Sequence, residues 1–336
     1  LKIKLFGMSE YNPPQIHILL ASYNGAEFII EQLDSIFSQS YTNIKVTIRD
    51  DGSTDNTIDL INGYKKKCDL DITLIENTSK QKGHSFNFSA LSEIALNSQS
   101  EYFCFSDQDD VWHSNKLSLM IHEIHKLEKQ HGVNLPILVH SDLVVVDERL
   151  DEIAPSFINY QGLPNPDKHN FPEFLYQNVV TGCATMFNKA LLDLATPIPS
   201  CAPVHDWWFG LCAQSFGAEK FIAKPLVYYR QHGINSIGAT RLKEQRSFFK
   251  KYIYKSLFKF PFLLSSAIQQ AEILSKSGAK TLPYANECYE IFINDFANLK
   301  NISSCKRVMY AHDIFKNRSK YERVYLYFVF FLVKWL

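Results

Sequence analysis

"IHILLASYN" (residues 16–24) decides how the rest of the chain is read. An unbroken apolar run ending in small and polar residues is the pattern of a strand buried in a parallel sheet. Directly after it, "AEFIIEQLDSIFSQS" (26–40) sets Phe28, Ile29, Leu33, Ile36 and Phe37 on one helical stripe. "IKVTIRDDGSTDNT" (44–57) repeats the scheme as a strand, an acidic turn and a helix, with Ser53 or Thr54 expected as N-cap. "LDITLIEN" and "SFNFSALSEIALNS" supply a third strand and helix, and "EYFCFSD" a fourth strand. "SNKLSLMIHEIHKLEKQ", expected to be capped near Ser114, and "ILVHSDLVVVD" continue the alternation. Strands alternating with helices predict an α/β fold with a mostly parallel sheet.

Residues 151–200 are richer in Pro and Asn and read as loops around a short "NVVTGCATMFNKALLDLA" unit. "HDWWFGLCAQSF" reads as a helix beginning near Asp206. From about Thr240 the character changes to helices that interleave lysine with aromatic residues: "FFKKYIYKSLFKFPFLL", "YANECYEIFINDFANL" and "SKYERVYLYFVFFLVKWL". Charge divides at the same place. The 336-residue chain is neutral, yet residues 240–336 carry 17 Lys and Arg against 7 Asp and Glu, leaving the first 239 residues acidic. An acidic body, 1–239, and a basic, aromatic-rich helical region, 240–336, suggest two jobs.

Hydrophobic residues make up 46% of the chain and charged residues 21%, enough for a substantial core. The seven cysteines are scattered without a CxxC pair, which fits a reduced, cytosolic compartment better than a disulfide framework or a zinc site. No signal peptide is read at the N-terminus, where Met8 is a candidate start. No stretch reaches the roughly 20 apolar residues of a spanning helix.

In an open parallel sheet, ligands bind beyond the carboxyl ends of the strands. Three strand ends here are polar: "ASYN", "RDDGSTD" and "SDQDD". Taken singly, each has a plain structural reading as a surface loop or a turn with a helix cap. Taken together, they converge on one crevice. Carboxylates that repel one another become ligands when a divalent cation sits among them, and oxygen ligands favour Mg²⁺ or Mn²⁺ over zinc.

The ordered set "ILLASYNG", "IRDDGSTDNT", "SDQDDVWHSNKL", "HDWW" and "YYRQHGINSIG" resembles the family-2 inverting glycosyltransferases of GT-A fold over roughly residues 15–240. The forms "SDQDDVW" and "RQHG" are most similar to the rhamnosyltransferase-like branch that builds bacterial surface polysaccharides. The resemblance implies that residues 1–239 bind the nucleotide-sugar and carry catalysis. It implies that Ala21, Tyr23, Asn24, Asp50 and Asp51 hold base and ribose, with Lys82 on base or phosphates. Asp107 then sits near the ribose and Gln108 beside the nucleotide-sugar. The metal bridging the two phosphates falls to Asp109, with Asp107, and to His232, whose alternative is a loop histidine held by a backbone carbonyl. Asp110 is expected to face the acceptor.

The implied reaction displaces a nucleoside diphosphate from the anomeric carbon, with Asp206 as the general base. The competing reading of Asp206 is a helix cap, which would favour its ionised form and weaken it as a base. Trp207 and Trp208 are expected to offer the acceptor sugar a stacking platform and to keep Asp206 dry. The implied donor is dTDP-L-rhamnose, or else a UDP-hexose or UDP-N-acetylhexosamine. The implied acceptor is a lipid-linked glycan. For the tail, one expectation is contact with the inner face of the cytoplasmic membrane, basic groups on anionic headgroups. The other is a helical unit packing on the body or forming a homo-oligomer.

A nucleotidyl- or phosphotransferase on a similar sheet would need a Gly-rich phosphate loop after the first strand, which "ASYNGAEF" is not. A non-catalytic carbohydrate-binding protein would need no base. Nucleic acid is not an expected partner, because the body is acidic and the basic tail too apolar to track phosphates.

Overall fold

A computed structural model describes residues 13–67, 71–233, 239, 263–276, 287–315 and 320–332. Met8, Cys68, residues 234–238 and nearly all of the "FFKKYIYKSLFKFPFLL" segment lie outside the described residues.

Strand β1 (Ile16–Ser22) is buried at every position, as an apolar run between two parallel neighbours must be. It pairs with β2 (Ile44–Asp50) on one side and β4 (Tyr102–Ser106) on the other, and β3 (Ile72–Glu76) extends β2, all parallel. The register sets Ser22 opposite Asp50 and Leu20 opposite Ser106. All three polar strand ends therefore leave the sheet at one edge.

The remainder is mixed. Strand β8 (Thr185–Asn188) runs antiparallel to both β4 and β6 (Ile137–Val146). Strand β9 (Ala218–Arg230) is parallel to β6, and the two-residue β5 (Val111–Trp112) closes the order β3-β2-β1-β4-β8-β6-β9-β5. Short β7 (Glu152–Ala154) pairs with β6 off this path. Reversing β8 is what carries the start of its strand back to the carboxyl end of β4.

Side-chain alternation splits the core into two layers. Ile16, Ile18, Leu20 and Cys104 face α1 (Ile29–Phe37), α2 (Thr57–Lys67) and α4 (Lys116–His131). Leu19, Ala21, Phe103 and Phe105 face α3 (His84–Ala95) and later helices. These are α6 (Phe171–Phe174), α7 (Lys189–Ala195) and α8 (His205–Phe216), whereas α5 (Phe157–Gln161) packs through Phe157 on the first layer.

Helix starts differ from the expected ones. Ser53 and Thr54 do not cap α2, which begins at Thr57 with its N–H on Asp55 Oδ1 at 3.1 Å. Ser53 instead serves the turn, donating its hydroxyl to Asp50 and accepting the Asn24 N–H. Helix α4 begins after Asn115 without a side-chain cap, so Ser114 does not cap it.

The C-terminal helices are not a separate layer. Leu264, Ile268, Leu274, Phe296 and Phe330 share one buried cluster with Phe174, Trp208 and Phe209. Tyr289 stacks on Phe171 at 4.3 Å. Burying each such side chain contributes about 1.5–3 kcal/mol. Docking against the body, one of the two expectations for the tail, is thus what the described helices do. Among the described residues, no helix is long and apolar enough to cross a membrane.

Candidate active site

At the shared strand edge lies a cleft of about 1080 Å³. Its walls bring together residues separated by about two hundred positions: Ala21 near the end of β1 with Tyr23 and Asn24 after it, Asp51 after β2, Lys82 before α3 and His84 at its start. Asp107, Gln108 and Asp109 follow β4, His205 and Asp206 open α8, and His232 follows β9. Asp50, Asp110, Trp207 and Trp208 do not line it.

Asp50 is fully buried and accepts four hydrogen bonds: Gly52 N at 3.0 Å, Ser53 N at 2.7 Å, Ser22 Oγ at 2.9 Å and Ser53 Oγ at 2.6 Å. Those bonds leave it no lone pair for a nucleotide, so its expected ligand role is corrected to organising the turn. Asp51 stands at the cleft wall, accepting from Asn77 Nδ2 and Gly83 N, each at 2.6 Å. Gly52 sits at φ +86°, and a side chain there would begin 2.6 Å from Lys82 Nζ. The left-handed backbone is what calls for glycine here, since the flexible end of the lysine could swing aside.

Gln108 lines the cleft, yet its amide is engaged by the main chain of Tyr23: Oε1 accepts the N–H at 2.8 Å and Nε2 donates to the carbonyl at 2.9 Å. It fixes one loop to another and leaves the Tyr23 ring 52% exposed. Asn24 adopts φ 48° and accepts the Thr54 N–H at 2.8 Å, so its side chain also braces the turn.

The acidic loop is held from β9. Pairing Val111 with Tyr228 brings Arg230 under the loop, where Nε donates to the Asp109 carbonyl at 2.8 Å and the backbone N–H to Asp110 Oδ1 at 3.2 Å. Arg230 is 2% exposed, also bonds Glu31 and the Glu148 carbonyl, and stacks on Phe28. Asp110 is therefore buried beneath the loop, and the expectation that it faces the acceptor is corrected. Burial and the charges of Asp109 and Asp107 push its carboxyl well above the usual range.

His232 Nε2 lies 2.8 Å from Asp109 Oδ2. The alternative of a loop histidine held by a carbonyl does not describe that nitrogen. Asp107, Asp109 and His232 together offer carboxylate oxygens and an imidazole at one wall, a donor set that suits Mn²⁺ or Mg²⁺. Among the described residues, the one group of three such side chains whose ligand atoms lie within 4.8 Å of one another is not that set but Asp107, Asp110 and Cys183. The Cys183 thiol is pushed well up by burial and by those two carboxylates, which keeps it protonated and a poor ligand. Under the same loop, buried Lys116 donates to the Cys183 carbonyl at 2.6 Å and lies 3.1 Å over the Trp112 ring.

At the opposite end, Asp206 stands in the first turn of α8, with Val204 in the cap position. Its carboxylate accepts the Gly182 N–H at 2.8 Å and an Asn178 Nδ2–H at 3.0 Å. Burial raises it to about 6; the N–H groups of Gly182 and Trp207 and the His84 ring pull the other way without cancelling that rise. The cap reading expected a carboxyl held ionised. Desolvation wins here, and a carboxylate near 6 is well matched to proton abstraction at neutral pH.

The stacking platform is corrected. Trp207 and Trp208 are 3% and 4% exposed, and their indole N–H groups donate to the carbonyls of Phe174 and Ala195 at 2.9 and 2.8 Å. Helix α8 is apolar nearly all round and so is buried all round. The indoles belong to the core and cannot reach a sugar.

Gly182 has no space for a side chain: a Cβ would begin 2.4 Å from His205 Nε2 and 3.5 Å from Asp206 Oδ2. Gly182→Ala should therefore push against His205 and shift the backbone whose N–H holds Asp206, lowering kcat by about 10²-fold, the effect of an ångström-scale misplacement. The Kd for nucleoside diphosphate, measured by calorimetry, should stay unchanged.

Arg230, His84, His205, Gly182 and Asn178 are the residues that sequence reasoning missed. Arg230 and His205 sat inside the quoted motifs "RQHG" and "HDWW", but only tertiary pairing gives them partners.

Comparison with known proteins gives the family and the fold. The model for "Glycosyl transferase family 2" matches residues 17–194. The dTDP-rhamnosyl transferase RfbG of Shigella flexneri is 26% identical over 229 residues, covering 66% of this chain and 74% of that protein. WfaP of Escherichia coli, a UDP-Glc:alpha-D-GlcNAc-diphosphoundecaprenol beta-1,3-glucosyltransferase, is 37% identical over 229 residues, covering 68% and 82%. S. aureus TarS 1-349, solved in complex with UDP-GlcNAc, superposes with a TM-score of 0.54 at 13% identity, covering 95% and 90%. GalNAc-T7 with UDP, GalNAc and Mn²⁺ gives 0.54 at 12% identity, covering 86% and 55%. What these two structures share with the chain is the fold.

Proposed function

Because the chain belongs to glycosyl transferase family 2 and has that family's GT-A architecture, we propose that it is a metal-dependent, inverting transferase of surface-polysaccharide synthesis. The donor is a nucleoside diphosphate sugar, dTDP-L-rhamnose in the first instance, with a UDP-hexose or UDP-N-acetylhexosamine as the other choice. RfbG and WfaP support one each by their names. The acceptor is a hydroxyl of a lipid-linked glycan, as the diphosphoundecaprenol substrate of WfaP suggests. The single observation that carries this reading is one cleft with Asp107, Asp109 and His232 at one end and Asp206, raised to about 6, at the other.

Asp109, Asp107 and His232 would hold Mn²⁺ or Mg²⁺, which when bound supplies Lewis-acid stabilisation of the departing diphosphate. Mn²⁺ accompanies UDP in GalNAc-T7. Asp51, Lys82 and the exposed Tyr23 ring would take the base, ribose and phosphates. The acceptor oxygen attacks the anomeric carbon while its proton passes to Asp206 Oδ. The bond from that carbon to the diphosphate oxygen breaks with its electron pair on the leaving group. A single displacement inverts the configuration.

dTDP-L-rhamnose, UDP-glucose and UDP-GlcNAc, each with Mn²⁺ or Mg²⁺ and a lipid-diphosphate glycan acceptor, would be scored by nucleoside diphosphate release. Anomeric couplings of the product report inversion. No release with any of them, or a retained configuration, would sink the corresponding half of the proposal.

The basic tail would rest on the inner face of the cytoplasmic membrane, where such an acceptor lies. Val324, Phe328 and Phe331 recur at helical spacing on the helix Lys320–Leu332 and are about half exposed or more. Residues 240–336 carry the positive excess that anionic headgroups attract. Replacing all three by serine should abolish sedimentation with phosphatidylglycerol-containing vesicles. Unchanged sedimentation, or a loss of dimer instead, would assign the stripe to another role.

A further inference from the structure

Between the two ends of the cleft runs a row of side chains that neither the metal nor the base accounts for. His84 Nε2 lies 3.3 Å from Asp107 Oδ1. Its ring centroid is 5.3 Å from that of His205. His205 Nε2 in turn abuts Gly182, whose N–H holds Asp206. The order from the diphosphate end to the base end is thus Asp107, His84, His205, Gly182, Asp206. In a displacement at the anomeric carbon, the sugar ring must lie between the diphosphate it leaves and the base that activates its attacker.

His205 has the properties of a ligand contact in that position. It is 2% exposed, lines the cleft, and neither ring nitrogen has a hydrogen-bond partner. Leaving a buried polar group in that condition is costly, and a ligand hydroxyl removes the cost. Its orientation is rigid: the ring stacks on Phe88 at 3.9 Å and meets Phe105 edge-on at 4.6 Å. Burial and the neighbouring His84 push its pKa well below the ordinary value, so it is neutral, with one N–H to donate and one lone pair to accept. His84 Nδ1 is likewise buried without a partner. The one N–H and one lone pair that His205 offers fit sugar hydroxyls better than a phosphate, which calls for cations.

We propose that His205, with His84 beside it, hydrogen-bonds hydroxyl groups of the transferred sugar and so determines which sugar the enzyme accepts. This rests on the glycosyltransferase reading, and the test separates the two. The probes are dTDP-L-rhamnose and UDP-glucose, each with its ring-deoxy analogues, and free dTDP and UDP. The wild type should prefer the donor it turns over to at least one analogue by about tenfold or more. His205→Leu should bring that ratio to within about twofold of unity while dTDP and UDP bind as before. His205→Gln, whose amide nitrogen can occupy the Nε2 position, should restore part of the preference. If His205→Leu lowers kcat/KM for parent and analogues by one common factor, the ring is structural and the assignment is overturned. If the wild type binds neither dTDP nor UDP with Mn²⁺, the transferase reading falls and takes this one with it.

Discussion

Asp206→Asn is expected to lower kcat by about 10²–10⁴-fold, the usual worth of a positioned general base, with nucleoside diphosphate affinity unchanged. Gly182 N–H and Asn178 Nδ2–H donate to different oxygens of Asp206, so the single amide oxygen of the variant can keep the Gly182 bond but not both, and the proton acceptor is gone. The pH profile carries the same assignment. A base works in its ionised form, and Asp206 ionises at about 6. Wild-type kcat/KM should therefore rise with pH through about 6 and level off above it, and the variant should lose that limb. Thermal stability gives an independent check. Burial penalises the charged carboxylate, so its folded-state pKa lies above the unfolded value. Its ionisation therefore erodes stability as pH rises from the ordinary carboxylate range through about 6. The fall in melting temperature across that range should then shrink in Asp206→Asn, which has no carboxyl to ionise there. A variant with normal turnover, or a wild-type profile flat through 6, would remove Asp206 from the mechanism.

Asp109→Ala is expected to abolish metal-dependent turnover, a loss of about 10³-fold or more if several kcal/mol of charge stabilisation go with the metal. The side chain faces His232 at 2.8 Å, and Arg230 grips the main-chain carbonyl of the same residue. Removing the carboxylate therefore leaves the loop anchored. The measurement that separates a ligand from a structural residue is calorimetry of UDP or dTDP with and without Mn²⁺. In the wild type Mn²⁺ should tighten binding; in Asp109→Ala the affinity should be weak and insensitive to Mn²⁺. A variant whose binding still responds to Mn²⁺ as the wild type does would place the ion elsewhere. His232→Ala should show a smaller version of the same loss, since one imidazole is removed and both carboxylates remain.

The strands were legible because a strand buried between parallel neighbours has few alternatives: β1, β2 and β4 lie where the apolar runs do. Their polar ends were legible for the same reason, since register delivers Ser22, Asp50 and Ser106 to one edge. Helix starts were less so. Ser53 looks like a cap in sequence, yet its hydroxyl bonds Asp50 across the turn. Side-chain roles diverged furthest where one residue type serves two purposes. Asp50 and Asp51 are neighbours, but Asp50 ends β2 with its carboxylate consumed by the turn, while Asp51 follows the strand and lines the cleft. Trp207 and Trp208 adjoin a candidate base, yet an almost wholly apolar helix is buried on every side.

Taken alone, the order of residues determined the alternation of strand and helix, the sheet edge at which acids collect, and the identity of the carboxylates at that edge. Those depend on contacts near in the chain, where a period of two or 3.6 leaves a visible trace. Only the tertiary structure decided which carboxylate is dry, which is consumed by main-chain N–H groups, and that His84 meets His205 across 121 positions. Desolvation and hydrogen-bond partnership arise from groups distant in sequence, and no local pattern encodes their approach.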